Sequence, residues 1–105
     1  MYKLVFFVPA SHVAAVKQAV FDTGAGRIGD YEHCSWQVLG EGQFRPLAGS
    51  SPYLGQTGEL ESVEEYRVEM VCADKLIQDA VRALLASHPY EEPAYDVWPL
   101  TEILV

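Results

Sequence analysis

Apolar and polar positions follow two different periods along this chain, and these periods predict an alternation of strands and helices. Residues 2–8 form a continuous apolar run, which is typical of a strand buried on both faces. Apolar residues then recur at helical spacing between Ser11, the predicted N-cap, and Asp22. Gly24 follows as the predicted C-terminal cap, since that position often needs a positive φ.

The second half of the chain repeats this order of strand and helix. A second apolar stripe at helical spacing begins after Asp74, the predicted cap, and Pro89 ends it. Trp36 and Val38 share one face of a strand by alternation. The predicted strands after the first are residues 33–39, 64–73, 94–100 and a short terminal one at 103–105.

Residues 40–63 show little periodicity and contain five of the eight glycines and two of the six prolines. Structureless loops longer than about 15 residues are uncommon in compact domains unless they are functional or packed on something. Phe44, Leu47, Tyr53, Leu54 and Leu60 supply apolar anchors. We therefore expect a long ordered central loop, with a short strand near residues 43–45, docked on its own domain or on a neighbouring subunit.

The element order is βαβ, a long loop and βαβ, which predicts one α+β domain over residues 1–105. Two split βαβ units form a ferredoxin-like βαββαβ sandwich, in which one antiparallel sheet carries two helices on one face. The other face of the sheet then stays uncovered, with Tyr, Trp and Val side chains on it. A small protein usually hides such a face in an oligomer, so we expect a homo-oligomer.

The charge and composition of the chain limit the classes of partner that it can bind. The formal net charge of −8 and the scattering of seven Lys and Arg residues argue against nucleic acid, which requires a clustered basic face. No apolar run approaches the ~20 residues that span a bilayer, so we expect no membrane partner and a cytosolic protein. Cys34 and Cys72 are too few for a disulfide scaffold and are expected to be buried free thiols.

The segment 88–96, HPYEEPAYD, concentrates an imidazole, two phenols and three carboxylates in nine residues. One interpretation is a plain helix end, where His88 complements the helix dipole and Pro89 blocks continuation. The other is a polar cluster at a cleft that binds a ligand or transfers protons. The candidate ligand-binding residues are Tyr31, His33, His88, Tyr90, Glu91, Glu92, Tyr95 and Asp96.

A divalent metal ion is one candidate ligand, since imidazole and carboxylate groups are common metal ligands. The candidate metal ligands are His88, Glu91, Glu92 and His33. His33 and Cys34 point to opposite faces if they lie on one strand, so they cannot both bind one ion without a bulge. His33 joins His88 only if the fold brings the two segments together.

Several motifs occur here in the order and spacing of a known family. They are residues 24–31 (GAGRIGDY), 34–35 (CS), 40–46 (GEGQFRP), 49–55 (GSSPYLG), 65–69 (EYRVE) and 88–96 (HPYEEPAYD). This set resembles the YqfO-type insert domain of the Nif-three-like (NGG-interacting factor) proteins and their small standalone bacterial counterparts, over nearly the whole chain. The resemblance implies a fold akin to the trimeric CutA and PII signalling proteins, and hence favours a trimer.

In the long members of this family, two flanking parts of the chain build a dinuclear metal site, and neither part lies in this sequence. The resemblance therefore carries no hydrolase residue over to this chain. We expect a non-enzymatic cytosolic binding or regulatory module, with a divalent metal or small metabolite bound at a subunit boundary. The alternatives are a small hydrolase or isomerase with His88 as general base, oriented by Glu91 or Asp96, and a purely structural oligomerisation domain for a partner protein.

Overall fold

A computed structural model describes residues 1–104 and has the predicted ferredoxin-like architecture. The four strands form one antiparallel sheet in the order β2-β3-β1-β4, so β2 and β4 are the edges. A 3₁₀ turn at Asp74–Leu76 precedes the second helix. The elements are β1 (Tyr2–Pro9), α1 (Val13–Phe21), β2 (Trp36–Phe44), β3 (Glu61–Cys72), α2 (Ile77–Ser87) and β4 (Tyr95–Pro99).

The core lies between the sheet and the two helices. Alternation along β1 directs Leu4, Phe6 and Val8 toward the helices, where all three are fully buried. Val68 and Met70 extend this layer on β3. The helices complete it with Val16, Val20, Phe21, Ala80 and Leu84. Full burial of one such side chain contributes roughly 1.5–3 kcal/mol, so this layer fixes the sheet against the helices.

The second strand differs from the prediction, because β2 begins at Trp36 and continues to Phe44. The glycine-rich residues after Leu39 predict a loop, but Gly40 and Gly42 pair with Glu65 and Val63 of β3. Backbone hydrogen bonding across the antiparallel ladder outweighs the weak strand propensity of glycine. The expected short strand near residues 43–45 is thus the end of β2, and the central loop shortens to residues 45–60.

Both predicted N-terminal helix caps take other roles, whereas Gly24 after α1 has the predicted positive φ of 99°. His12 occupies the N-cap position of α1, and the Ser11 hydroxyl bonds the His12 ring Nδ1 at 2.7 Å instead of a helix N–H group. Asp74 lies in the 3₁₀ turn, where its carboxylate pairs with the N-terminal amine of Met1. Ile103 and Leu104 lie outside any strand, and Val105, the rest of the predicted terminal strand, is outside the described residues.

The face of the sheet opposite the helices carries no helix and exposes several large side chains, although Val5 on this face is fully buried. The register places Trp36 and Val38 of β2 and Trp98 of β4 on this face, and we call these three residues the open-face patch. Trp36 is 60% exposed and Trp98 is 39% exposed. Large aromatic side chains exposed in this way on a small domain are typical of an interaction surface.

The described helices include none that is both long and apolar enough to cross a membrane.

Candidate functional site

The segment between α2 and β4 crosses the carboxyl end of β1. The Phe7 N–H donates a hydrogen bond to the Ala94 carbonyl at 3.2 Å, and β4 then continues alongside β1. Pro89 follows α2 immediately and prevents the helix from extending past Ser87. As a result His88 and Tyr90 are held next to the end of β1.

His88 is buried, with 7% of its surface exposed, and both of its ring nitrogens have backbone partners. Nε2 lies 2.7 Å from the Phe7 carbonyl oxygen, and the Tyr90 N–H donates to Nδ1 at 3.1 Å. This pattern requires the neutral tautomer with the proton on Nε2. Burial lowers the pKa of His88, the hydrogen bond to Phe7 partly opposes this, and the nearby His12 lowers it further.

Tyr90 stands at the centre of an aromatic group. Its ring centroid lies 4.9 Å from that of His88, 6.4 Å from Phe44 and 6.2 Å from Tyr53. The Tyr90 hydroxyl is buried and has no hydrogen-bond partner among the described residues. Burial raises the pKa of this phenol, and the neighbouring Glu65 and Tyr53 raise it as well. An unpaired buried hydroxyl costs about 1–3 kcal/mol, which a ligand atom can recover.

A pocket of about 260 Å³ opens beside Tyr90. Its floor is the open face of the sheet, from Phe7, Phe44 and Val63, and its walls come from the central loop and the segment after α2. The remaining lining residues are Gln43, Pro46, Ser50, Pro52, Tyr53, Leu54, Glu65, Glu91, Glu92 and Ala94. Apolar walls with a few convergent polar groups are typical of small-molecule sites.

Glu65 is the half-buried carboxylate in this pocket. Burial raises its pKa, and no described residue forms an ion pair with it. Its side chain lies directly over Gly42, where a β-carbon would overlap the carboxylate. Gly42 therefore makes room for Glu65 against the sheet. Arg67, two residues along the same face, lies 5.9 Å from the Phe7 ring and pairs with Glu69 at 3.4 Å.

The central loop is fastened over the pocket by Glu91. The Ser51 N–H donates a hydrogen bond to the Glu91 carboxylate at 2.9 Å, across 40 residues of sequence. Tyr53 packs edge-on against the His12 ring, with centroids 5.7 Å apart. These two contacts hold the loop on its own domain, one of the two positions expected from the sequence.

The structure brings together four of the eight predicted ligand-binding residues, namely His88, Tyr90, Glu91 and Glu92. Three of them line the pocket, whereas His88 supports Tyr90 from behind. The other four are elsewhere. Tyr95 and Asp96 lie in β4, paired with Phe6 and Val5, and do not line the pocket; Tyr31 and His33 belong to the segment after α1.

Tyr31 and His33 lie at the opposite end of β1 from His88. The Gly26 N–H ties their segment to the Val71 carbonyl, and Val71 pairs with Lys3 near the start of β1. The His33 ring stacks on Phe21 with centroids 4.8 Å apart, and Tyr31 is 74% exposed. The distance along β1 separates both residues from the pocket of the same chain.

The predicted metal ligands are therefore not assembled within one chain. No group of three or more His, Cys, Asp or Glu residues within residues 1–104 is arranged to hold a metal ion. His33 is at the far end of the sheet, and His88 has no free ring nitrogen. Sequence proximity suggested the cluster, but the backbone hydrogen bonds direct the imidazole inward.

Sequence reasoning did not identify Phe7, Phe44, Tyr53, Glu65 or Ser51 as site residues. The sequence indicates Phe44 and Tyr53 only as apolar anchors of the central loop, and Glu65 only as the first residue of the motif at 65–69. The one feature that singles out Glu65 is the glycine diagonally opposite it on the neighbouring strand, Gly42. This feature can be recognised only when the register between the two strands is known.

Several bacterial relatives match almost the whole chain. Proteins named GTP cyclohydrolase 1 type 2 homolog are 53% identical over 98 residues in Mycobacterium leprae and 42% identical over 100 residues in Bacillus subtilis. These matches cover 93% and 95% of this chain. The chain spans about a quarter of the length of these relatives, 26% and 27% respectively. No family model matches the sequence.

Solved structures give the same result. A Bacillus cereus protein related to NIF3 superposes with a TM-score of 0.82 and 42% identity, over 96% of this chain and 26% of that one. The periplasmic divalent cation tolerance protein CutA from Archaeoglobus fulgidus superposes with a TM-score of 0.69 over 99% of this chain and 88% of that one. At 13% identity, CutA shows the fold alone.

Sequence identity above 40% across nearly all of the chain, together with the close superposition, establishes its relationship to one segment of these longer proteins. Over nearly its whole length the chain is therefore similar to one segment of NIF3-related proteins, and it has a CutA/PII-like ferredoxin fold.

Proposed function

We propose that this chain is a non-enzymatic binding or regulatory module that assembles with copies of itself and holds a small ligand in the Tyr90 pocket. The observation that carries this proposal is the pocket itself, which combines aromatic walls with an unpaired, buried Tyr90 hydroxyl. A ligand that bonds this hydroxyl removes the cost of its burial. The proposed setting is the cytosol, in keeping with two free cysteines.

The geometry of His88 favours binding over catalysis. A general base needs a ring nitrogen free to accept a proton, and both nitrogens of His88 are bonded to backbone groups. The alternative of a hydrolase or isomerase with His88 as its base therefore has little support. The matched relatives carry an enzyme's name, but this chain corresponds to only about a quarter of them.

The open-face patch supports assembly with copies of this chain. Its tryptophans lie on a sheet whose two outer strands, β2 and β4, also leave one edge each unpaired among residues 1–104. Burying such a face and such edges is a common reason for a small domain to oligomerise. The CutA-like fold makes a trimer our preferred form. If the site lies at a subunit boundary, Tyr31 and His33 can reach the pocket only from a neighbouring protomer.

The same surface also fits a second role, the oligomerisation of a partner protein, because an apolar patch does not by itself specify its partner. A divalent metal remains a proposed ligand only if more than one protomer contributes to its site. Among the described residues of one chain, Glu91 and Glu92 lack the additional ligands that a stable site requires.

A screen of small metabolites by two-dimensional NMR of the isotope-labelled chain tests the proposed binding role. We expect saturable shifts at Phe44, Tyr53, Glu65 and Tyr90 for at least one compound. Tyr90→Phe should lower the affinity for that compound about fivefold or more, because it removes the hydroxyl that hydrogen-bonds the ligand. Tyr2→Phe, the same change at the start of β1 and outside the pocket, serves as the control. Binding that maps away from the pocket, or that Tyr90→Phe leaves unchanged, contradicts the proposal.

A further inference from the structure

Aromatic rings dominate the walls of the Tyr90 pocket. Phe7 and Phe44 rise from the sheet, Tyr53 comes from the central loop, and Tyr90 stands between Phe44 and Tyr53 with centroid distances of 6.4 and 6.2 Å. The faces of such rings carry partial negative charge and attract cations that approach within about 6 Å of the ring centre. Rings from four different parts of the chain thus surround one small volume.

Every charged residue that lines this pocket is acidic. Glu65, Glu91 and Glu92 contribute carboxylates, and no Lys, Arg or His is among the lining residues. Glu91 is engaged by the Ser51 N–H, whereas Glu65 has no ion-pair partner among the described residues. The net charge of −8 adds a long-range field that attracts cations toward the molecule.

The local environment of Glu65 is incomplete without a positive partner. Its carboxylate lies over Gly42 and is removed from water far enough that burial raises its pKa. The neighbouring Tyr90 hydroxyl is buried without a partner and can accept a hydrogen bond from an N–H group. A protonated amine placed between these two groups satisfies both of them, whereas a quaternary ammonium, which has no N–H group, neutralises Glu65 alone.

We propose that the Tyr90 pocket binds a small organic cation, an amine that is protonated or methylated and carries a compact apolar body. This inference rests on the proposed binding role of the pocket and specifies its ligand class. Glu65 supplies the counter-charge, and Phe44, Tyr53 and Tyr90 supply the ring faces. The volume of about 260 Å³ lies near the lower limit of ~300 Å³ for drug-sized ligands, which suits a small metabolite.

Other ligand classes fit this chemistry less well. An anion meets three carboxylates and no basic side chain. A hydrated divalent ion needs about six oxygen ligands, and the described residues supply no group of three acidic or His side chains around one point. A neutral apolar molecule satisfies the rings but leaves Glu65 and the Tyr90 hydroxyl buried without partners, which costs binding energy.

A pair of ligands with the same shape tests the proposal directly. Choline and 3,3-dimethyl-1-butanol differ in one atom, a quaternary nitrogen against a carbon, so their affinities isolate the effect of charge. We expect NMR titrations of the assembled chain to show choline binding at least about fivefold tighter, with shifts at Phe44, Tyr53, Glu65 and Tyr90. Benzyltrimethylammonium, which adds a ring, should bind tighter than choline.

Variants assign the effect to the pocket. Glu65→Gln keeps the size of the side chain and should remove most of the preference for choline over the alcohol. Glu64→Gln is the matched control, because Glu64 is the exposed neighbour that points to the other side of β3 and does not line the pocket. Circular dichroism verifies that both variants stay folded.

The outcomes separate this inference from the proposed function. Equal affinity for choline and the alcohol, with shifts in the pocket, overturns the cation class but keeps the pocket as a binding site. A choline preference that survives Glu65→Gln also overturns it. If neither ammonium compound binds up to about 20 mM, the inference fails, and the metabolite screen then decides whether the pocket binds anything.

Discussion

Each ring nitrogen of His88 has a backbone partner, so this imidazole joins the end of β1 to the start of the segment after α2. The two hydrogen bonds together require the neutral imidazole of His88. The side chain therefore determines where Tyr90 stands, and through Tyr90 it shapes one wall of the pocket. Its role is one of support rather than of contact with a ligand.

His88→Ala should lower the free energy of unfolding by about 2–4 kcal/mol, because it leaves the Phe7 carbonyl and the Tyr90 N–H unpaired and opens a cavity. Urea denaturation followed by circular dichroism measures the loss. His12→Ala is the control, since the ring of His12 makes one exposed hydrogen bond to the Ser11 side chain and one edge-on contact with Tyr53, and its loss leaves no buried backbone group unpaired. Equal stability of the two variants would contradict the structural role of His88.

The pH dependence of stability should also report on His88. Burial holds its pKa in the folded state below the ordinary value of about 6.5, so the unfolded chain takes up a proton first as pH falls. The stabilisation is therefore complete above about pH 6.5 and is lost as pH falls toward the folded-state pKa. Urea midpoints of the wild type should fall more steeply with acid than those of His88→Gln. Parallel pH profiles would refute this.

At the scale of elements, the hairpin of β2 and β3 carries the floor of the pocket. Local pattern predicts β3 well, since its alternation is regular, but it misses the second half of β2. Gly40 and Gly42 have no side chains, so they contribute nothing to an alternating apolar pattern. Their strand conformation results from pairing with residues more than twenty positions away. The register, and with it the position of Glu65 over Gly42, thus lies beyond local sequence reasoning.

Gly42→Ala should displace the Glu65 carboxylate without unfolding the hairpin, because only the end of a flexible side chain has to move. We expect the free energy of unfolding to change by less than about 0.5 kcal/mol. The pKa of Glu65, followed by carbon-detected NMR titration, should move back toward its ordinary value as the group becomes exposed. Gly40→Ala has open space at its β-carbon and should leave that pKa raised. A Glu65 pKa unaltered by Gly42→Ala would argue against the packing described.

At the scale of the whole molecule, the order of elements was sufficient to predict the fold and the uncovered face of the sheet. The pocket was not predictable in this way. Its parts, Phe7, the central loop, Glu65 and the segment after α2, come from four separate regions of the sequence and meet only through the sheet order and the Ser51–Glu91 hydrogen bond. The cluster of polar and aromatic residues at 88–96 predicted one wall of the pocket. The other walls depend on tertiary contacts that the sequence pattern does not show.

A single charge on the open-face patch should disrupt assembly. Trp36→Lys places an ammonium group where we propose that another copy packs, and size-exclusion chromatography with light scattering should show a lower mass than that of the wild type. Leu85→Lys introduces the same charge at an exposed leucine on α2, away from the sheet, and should leave the mass unchanged. If Leu85→Lys dissociates the protein and Trp36→Lys does not, the interface lies on the helices.

Native mass spectrometry of the untagged chain, before and after treatment with a chelator, is the decisive test of assembly. We expect a homo-oligomer, with a trimer favoured, whose assembly does not depend on a metal held within one chain. A monomer at micromolar concentration would contradict the role proposed for the open-face patch. An assembly that falls apart when the chelator removes one metal ion per chain would contradict the assignment of Tyr90 and Glu65 as the centre of the site.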